Sequence, residues 1–226
     1  ELYGQTQDED SYLLTQMNLI LHGIYVNLGK TAANTLLNDQ HKNQKFDYII
    51  ANPPFNSANW FDDHTTFYDD RWRFGVPPRS NANFAWLQHI LSHLQPNGRA
   101  AVILPNGTLT TQTHQEAGIR KAMIQNKRIE AVITLPPGLF YSTKVPCCIW
   151  LLANSDSKNG DILFIDATHM KPEIKKDFTS VHIEQLIELV DRHRQRELHT
   201  CTEWYGVASL EKIEQNGFIL SPNLYT

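Results

Sequence analysis

Asn52-Pro53-Pro54-Phe55 is the tetrapeptide in this chain whose residue types are best suited to chemistry. Asn52 offers a side-chain carbonyl, and Pro53 offers a backbone carbonyl beside it, on a segment stiffened by two prolines. Two fixed acceptors side by side can engage both hydrogens of one amino group. The exocyclic amine of adenine is a poor nucleophile, because its lone pair is delocalised into the ring. Drawing both hydrogens towards acceptors localises that lone pair. Phe55 supplies a flat platform, and stacking a base on an aromatic ring is worth ~1–3 kcal/mol. A methyl donor held in line would complete the site by preorganisation and proximity, with no covalent enzyme intermediate. A base in a duplex would have to leave the stack to arrive there. The plainer reading is a strand-ending turn with an aromatic packed beneath it.

The elements around the tetrapeptide must hold it still. Phe46 to Ala51 is a short apolar strand that Pro53 and Pro54 forbid from continuing. Upstream, Asp8 to His22 reads as a helix with an apolar stripe of Tyr12, Leu13, Met17, Ile20 and Leu21, stopped by Gly23. Downstream, a long irregular stretch from Asn56 to Arg79 leads to a helix capped by Ser80 or Asn81, with Phe84, Leu87, Leu91 and Leu94 on its apolar face. Strands follow at Arg99 to Leu104, Ile129 to Leu135, Cys147 to Ala153 and Ile162 to Ile165, with helices at Gln115 to Asn126 and Ile183 to Arg196 and a short tail. Continuous apolar strands flanked by helices indicate an α/β fold, its sheet mainly parallel and covered on both faces. Three strands end at proline loops: Asn52-Pro53-Pro54, Leu104-Pro105-Asn106 and Leu135-Pro136-Pro137. In such sheets ligands bind beyond the carboxyl ends of the strands, so all three loops are expected on one rim.

A chain of 226 residues suffices for one large domain, or one domain with a small appendage. The boundaries expected are a catalytic portion at 1–170 and a helical extension of the same domain at 171–226. Net charge is -4, so the chain does not grip phosphates by its own charge, and a DNA substrate would need further grip from another chain. Cys147, Cys148 and Cys201 form neither a disulfide framework nor a zinc motif, which suits a reducing, cytoplasmic compartment. No apolar run reaches transmembrane length, and no membrane partner is expected. The chain opens at Glu1-Leu2-Tyr3-Gly4 with no polar lead-in, as a piece cut from inside a longer protein would.

Taken together these segments resemble the modification (methylase) subunit of type I restriction-modification systems. The likeness is carried by Tyr3-Gly4-Gln5, Met17-Asn18-Leu19, His22-Gly23-Ile24 and Phe46 through Phe55. It continues through Asn81-Ala82-Asn83-Phe84-Ala85-Trp86, Pro96 to Ala100, Leu104 to Gly107, Leu135 to Thr143 and Ile162 to Ala167. Asn-Pro-Pro-Phe alone marks amino-methyltransferases broadly; the other segments narrow it. The resemblance implies a Rossmann-like sheet, S-adenosylmethionine as donor and adenine N6 in DNA as acceptor. It also implies a specificity subunit and a restriction subunit as partners.

The chain departs from the family pattern in three ways. It has no counterpart of the glycine-rich cofactor loop, nor of the first strand leading into that loop. Thr6 stands where a glutamate usually accepts the cofactor ribose hydroxyls, and Asn34 where an aspartate is expected near the cofactor adenine. Thr6, Asn34 and Asn52 are therefore the candidate cofactor contacts, with charge removed from the first two. This keeps open a second reading, a truncated and cofactor-deficient remnant or scaffold, and a third, methylation of RNA or of a glutamine side-chain amide. Elsewhere, His89 and His93 are four apart, a metal-compatible spacing better suited to a solvated helix face, and no metal is expected. Arg71, Trp72, Arg73 and Arg79 could touch a nucleic-acid strand or simply order their loop. Cys147 and Cys148 belong in a core strand, and Asp191 to Arg196 at a solvated helix end.

Overall fold

Apolar strands alternating with helices become a six-stranded sheet in the computed structural model, which describes residues 1–58, 60–61, 69–138, 145–155, 160–170, 180–198 and 201–226. The chain runs β1 (Leu2–Tyr3), α1 (Glu9–Leu21), β2 (Val26–Asn27), β3 (Phe46–Ala51), α2 (Asn83–Ser92), β4 (Leu94–Pro105) and α3 (Gly107–Thr110). It continues with α4 (His114–Gln125), β5 (Ile129–Thr134), β6 (Cys147–Ala153), β7 (Ile162–Asp166), α5 (Ser180–Arg194), β8 (Tyr205–Ala208) and α6 (Leu210–Gln215). Strand order is β3-β4-β6-β5-β7-β8. β3 and β4 are parallel, as are β5 and β7, while β6 is antiparallel to both β4 and β5, and β8 is antiparallel to β7. Four strands thus point one way, with β6 and β8 reversed, so the sheet is mixed α/β and mainly parallel in direction. The carboxyl ends of β3, β4 and β5 share one rim, and that rim carries the three proline loops.

Side-chain alternation distributes the core. Val102, Leu104, Val132, Trp150 and Phe164 face α2, α4 and α6, where Phe84, Leu87, Met123 and Ile213 complete one buried layer. Ala131, Ile133, Leu163 and Ile165 face the other way, against Leu189 and Val190 of α5. Trp150 is fully buried, and its indole N–H donates to Thr108 Oγ1 at 3.1 Å, so the largest core side chain carries no orphan donor. Cys147 and Cys148 are buried as expected, and Cys148 is pushed up to about 12 by its burial, which leaves it an inert thiol.

Two expectations change at the ends of the chain. The segment after Arg196, read as a short tail, supplies β8 and α6 and closes the sheet with Leu220 and Tyr225. A four-residue strand containing Gly206 has too little periodicity to show in sequence. The apolar stripe of α1 is also not packed away. The helix forms as its signals dictate, with the Asp8 carboxylate accepting from Ser11 N–H at 2.8 Å and Gly23 at φ +69° ending it. None of its residues is buried, however, and Leu13, Met17, Ile20 and Leu21 are exposed. The same is true of the neighbouring sheet edge: β3 pairs only with β4 among the described residues, and Tyr48 and Ile50 are 78% and 87% exposed. β1 and β2 form a separate parallel pair beside that edge, touching it where the Tyr3 and Phe46 rings lie 5.2 Å apart. No helix among the described residues is long and apolar enough to cross a membrane.

The chain terminus is sealed against β8 at Gly206. A Cβ built there would lie 2.1 Å from the Tyr225 carbonyl oxygen, while the Tyr225 ring stacks on Phe164 with centroids 4.1 Å apart. Backbone cannot yield as a flexible side chain can, so Gly206→Ala is expected to destabilise the protein by roughly 3 kcal/mol or more. Urea titration followed by circular dichroism measures this, with Gly118→Ala as the control, since its Cβ would meet nothing within 4 Å and in the interior of α4 it should stabilise by about 0.5–1 kcal/mol.

Candidate active site

Asn52 stands at the end of β3 because β3 is locked to β4 from Tyr48↔Arg99 to Ala51↔Val102, and Pro53 and Pro54 cannot extend the ladder. The Asn52 side chain is exposed and makes no hydrogen bond with any described residue. Pro53 is buried and Pro54 exposed. Phe55 is half-buried, resting on the core layer that holds Ile133, Leu135 and Cys147. The tetrapeptide therefore presents a free amide beside an aromatic that has packing beneath it, as the plainer structural reading of Phe55 expects.

The chain then turns sharply. Asn56 has φ +53°, a left-handed conformation that asparagine tolerates better than most residues. Its N–H donates to Asn83 Oδ1 at 3.1 Å, and Asn83 Nδ2 donates back to Asn56 Oδ1 at 2.9 Å. Ala82 N–H donates to the Ser57 carbonyl at 2.9 Å. Further on, Trp60, Trp72, Leu36, Ala82 and Ala85 form a small core of their own, with Trp60 Nε1 donating to the Pro78 carbonyl at 2.9 Å. The described parts of the stretch expected to be irregular are thus anchored by buried tryptophans.

A cleft of about 310 Å³ lies between β1 and β3, bordered by Gly4, Gln5, Thr35, Ile49, Ala51 and Trp86. Gln5 staples its outer wall: its amide donates to the Ala33 and Asn38 carbonyls at 2.9 and 2.8 Å, and its carbonyl accepts from Gln40 N–H at 3.0 Å. Ala33 N–H donates to the Thr6 carbonyl at 2.8 Å, which brings Thr6 and Asn34 together. Thr6 Oγ1 is buried without a partner. Asn34 Oδ1 is already engaged, accepting from Leu36 N–H at 3.0 Å and Leu37 N–H at 3.4 Å. An aspartate could cap the same turn, so asparagine serves the local fold equally well without charge. Ala51, next to Asn52, lines this cleft.

The histidines are not on a solvated face. His89 and His93 are buried, and Asp39 joins them, with one ligand atom from each within 4.8 Å of the others. Both nitrogens of His93 are engaged, Nδ1 with the Gln44 carbonyl at 2.9 Å and Nε2 with Asp39 at 2.8 Å. Arg71, bound through Nε and Nη2 to Asp69, places Nη1 3.1 Å from His89 Nδ1, which must accept because a guanidinium only donates. Arg71 Nη2 also donates to the Leu36 carbonyl at 2.7 Å, tying the loop after the tetrapeptide to the turn that starts at Asn34. A cation here would sit against the Arg71 guanidinium, so the geometry favours a charge and hydrogen-bond network. Arg71 and Trp72 thus order their loop from within; Arg73 is exposed, and Arg79 lies over the Phe61 ring at 5.0 Å. Sequence reasoning missed Asp39, Gln5 and Asn83. Gln5 and Asn83 stood in segments that carry the resemblance without a role of their own, and Asn83 also as an amide at the start of an apolar helix.

A second cavity, about 440 Å³, opens at the opposite ends of the strands around Arg99, Glu130 and Arg194. Arg194 holds Glu130 through bonds of 3.0 and 2.8 Å, so the Asp191 to Arg196 helix end is an ion-pair anchor there, remote from Asn52.

An α/β sheet with an Asn-Pro-Pro-Phe loop on its carboxyl rim defines the class of amino-methyltransferases. The whole chain, residues 1–226, matches the family model described as N-6 DNA methylase, and the chain belongs to that family. It is 38% identical over 228 residues to the HindI methylase subunit of Haemophilus influenzae, across 99% of this chain and 51% of that protein. It is 32% identical to the MjaIX methylase subunit of Methanocaldococcus jannaschii, across 99% of this chain and 42% of that protein. The crystal structure of a type I restriction-modification methyltransferase subunit from Streptococcus thermophilus superposes with a TM-score of 0.87 at 32% identity, over 99% of this chain and 48% of that one. The chain spans about half the length of the curated relatives it matches.

Burial, with His93 and Arg71 alongside, pushes the His89 imidazole down to about 3, whereas the unfolded ring titrates near 6.5. Burial alone would raise the Asp39 carboxyl, but bonds from His93 and the His41 N–H bring it down to about 2, so it stays ionised well into acid. Between pH 6.5 and 3 the unfolded His89 takes up a proton that the folded one refuses. Stability from this site is therefore complete above pH 6.5 and is lost progressively as pH falls below it. His89→Asn, whose Oδ1 can accept from Arg71, is expected to flatten that slope between pH 6.5 and 4.5, as measured by urea titration of both proteins.

Proposed function

We propose that this chain carries the base-accepting half of an adenine-specific DNA N6-methyltransferase that works within a type I restriction-modification complex. The observation that carries the reading is the Asn52 side chain: exposed, unbonded to any described residue, and fixed at the end of a paired strand beside a proline carbonyl and a half-buried phenylalanine. In this role Asn52 Oδ1 and the Pro53 carbonyl accept the two hydrogens of a flipped adenine amine. Phe55 stacks against the base, and Pro54 keeps the turn stiff.

The cleft beside β3 suits the methyl donor, S-adenosylmethionine, which supplies the methyl group when bound. The cleft lining includes Gln5, Thr35 and Ala51, the chain neighbours of Thr6, Asn34 and Asn52, so on this reading Thr6, whose buried hydroxyl lacks a partner, and Asn34 would reach the donor only from just behind the cleft wall. The fit is partial, since the Asn34 carbonyl is committed to its own turn and neither residue brings the negative charge that suits ribose hydroxyls. Segments 1–170 and 171–226 act as one domain on this reading, supported by β8 pairing with β7. The net charge of -4 favours a specificity subunit that reads and grips DNA, alongside a restriction subunit. Its free cysteines suit the cytoplasm.

A second reading, a non-catalytic scaffold, is favoured by one feature: the apolar side chains of α1 and β3 that no described residue covers. Isothermal calorimetry with S-adenosylmethionine separates the two, because clear binding by this chain excludes the remnant. In the assembled complex, Asn52→Ala is expected to lower kcat on DNA by about 10²–10³-fold or more while DNA affinity holds. Unchanged methylation would sink the assignment of Asn52. Assays on RNA and protein acceptors, expected to be inactive, check the acceptor class.

A further inference from the structure

We infer that Asn83 is a positioning residue for the Asn52–Phe55 tetrapeptide, acting through Asn56; this rests on the catalytic reading above. Asn83 is only 2% exposed and opens α2, where a buried amide is costly unless its polar atoms are bonded. An asparagine at a helix start would ordinarily cap the helix. Here it does not: Ala82 occupies the cap position with no side-chain cap bond, and Asn81 Oδ1 accepts the Asn83 N–H at 2.9 Å. The Asn83 amide is thereby left for the loop, and it spends both ends on one residue. Its carbonyl takes the Asn56 N–H at 3.1 Å, and its amine gives to Asn56 Oδ1 at 2.9 Å.

The pair matters because of where Asn56 sits. It directly follows Phe55 and is held at φ +53°, which sets the direction in which the chain leaves the aromatic platform. Asn81 Nδ2 adds a 3.3 Å bond to the same Asn56 oxygen, and the Ala82-to-Ser57 backbone bond of 2.9 Å continues the seam. α2 is itself rigid, since the next residue, Phe84, is fully buried and meets Trp150 edge-to-face at 6.2 Å. The tetrapeptide is thus gripped at both ends, by the β3–β4 ladder before Asn52 and by the Asn83 amide after Phe55. A floating exit would let Phe55 and the Pro53 carbonyl drift without unfolding anything.

The test uses the assembled methyltransferase and its DNA duplex, with 2-aminopurine replacing the target adenine for the binding assays. Asn83→Ala removes the pair. Asn56→Gly removes its side-chain half while easing the left-handed backbone, so it tests the clamp without threatening the fold. Both are expected to lower kcat about tenfold or more, with DNA Kd and donor KM held within about twofold, because misplacement penalises chemistry more than binding. The 2-aminopurine emission of the bound complex should shift from that of the unsubstituted protein, reporting altered stacking at Phe55. Asn83→Asp keeps the acceptor for the Asn56 N–H and loses only the donor to Asn56 Oδ1, so this variant should retain part of the kcat that Asn83→Ala loses. The inference is overturned if Asn52→Ala is inactive while Asn83→Ala and Asn56→Gly keep wild-type kcat and emission. It is overturned equally if Asn83→Asp is no better than Asn83→Ala and all losses follow the thermal midpoint, which marks a purely structural amide. Full activity of Asn52→Ala would instead overturn the site reading, and the clamp with it.

Discussion

The backbone ladder between β3 and β4 is the constraint from which the site follows. β3 has no other sheet partner among the described residues, and its register against β4 decides where Asn52 leaves the sheet. A slip of one residue would turn Ile49 and Ala51 away from the core layer they touch and move the asparagine off the rim. β4 can serve as the fixed partner because it is held on its other side by β6 over seven residue pairs, Arg99↔Ala153 to Pro105↔Cys147. The reversed strand β6, with Trp150 buried at its middle, thus braces the site twice, through β4 and through the Cys147 layer on which Phe55 rests.

Beyond the ladder, short polar links between distant segments do the positioning. The Gln5 amide staples the first residues to the 33–40 turn. Arg71 joins that turn to α2 and to the loop behind the tetrapeptide, while Asp39 and His93 anchor it beside β3. Apart from the exposed Gln5–Asn38 bond these links are partly buried, where an unmade bond is expensive, so the geometry is narrowly specified. The cost of this design is the acid sensitivity built into His89, whose burial forbids the proton it would accept in water.

Among the described residues, Asn52 to Asn56 offers prolines, asparagines and an aromatic, with Arg73 and Arg79 exposed farther along the chain, while Arg99 and Arg194 at the far ends of the strands are engaged with Glu130. The chain, a member of the N-6 DNA methylase family, spans about half the length of its curated relatives.

Local signals in the sequence determined the elements closest to the site. Phe46 to Ala51 had to be a strand, two prolines had to end it, Asp8 and Gly23 had to bound a helix, and the three proline loops had to face one rim if their strands ran alike. These follow from backbone sterics and side-chain period, which neighbours along the chain express by themselves. Strand direction was not written there: nothing in Cys147 to Ala153 distinguishes an antiparallel strand from a parallel one. Nor were the burial of His89 and His93, the strand at Tyr205 to Ala208, or the pairing of Asn83 with Asn56. Those depend on which groups meet across tens of residues, and a residue's solvation and partners exist only after the chain has closed around it.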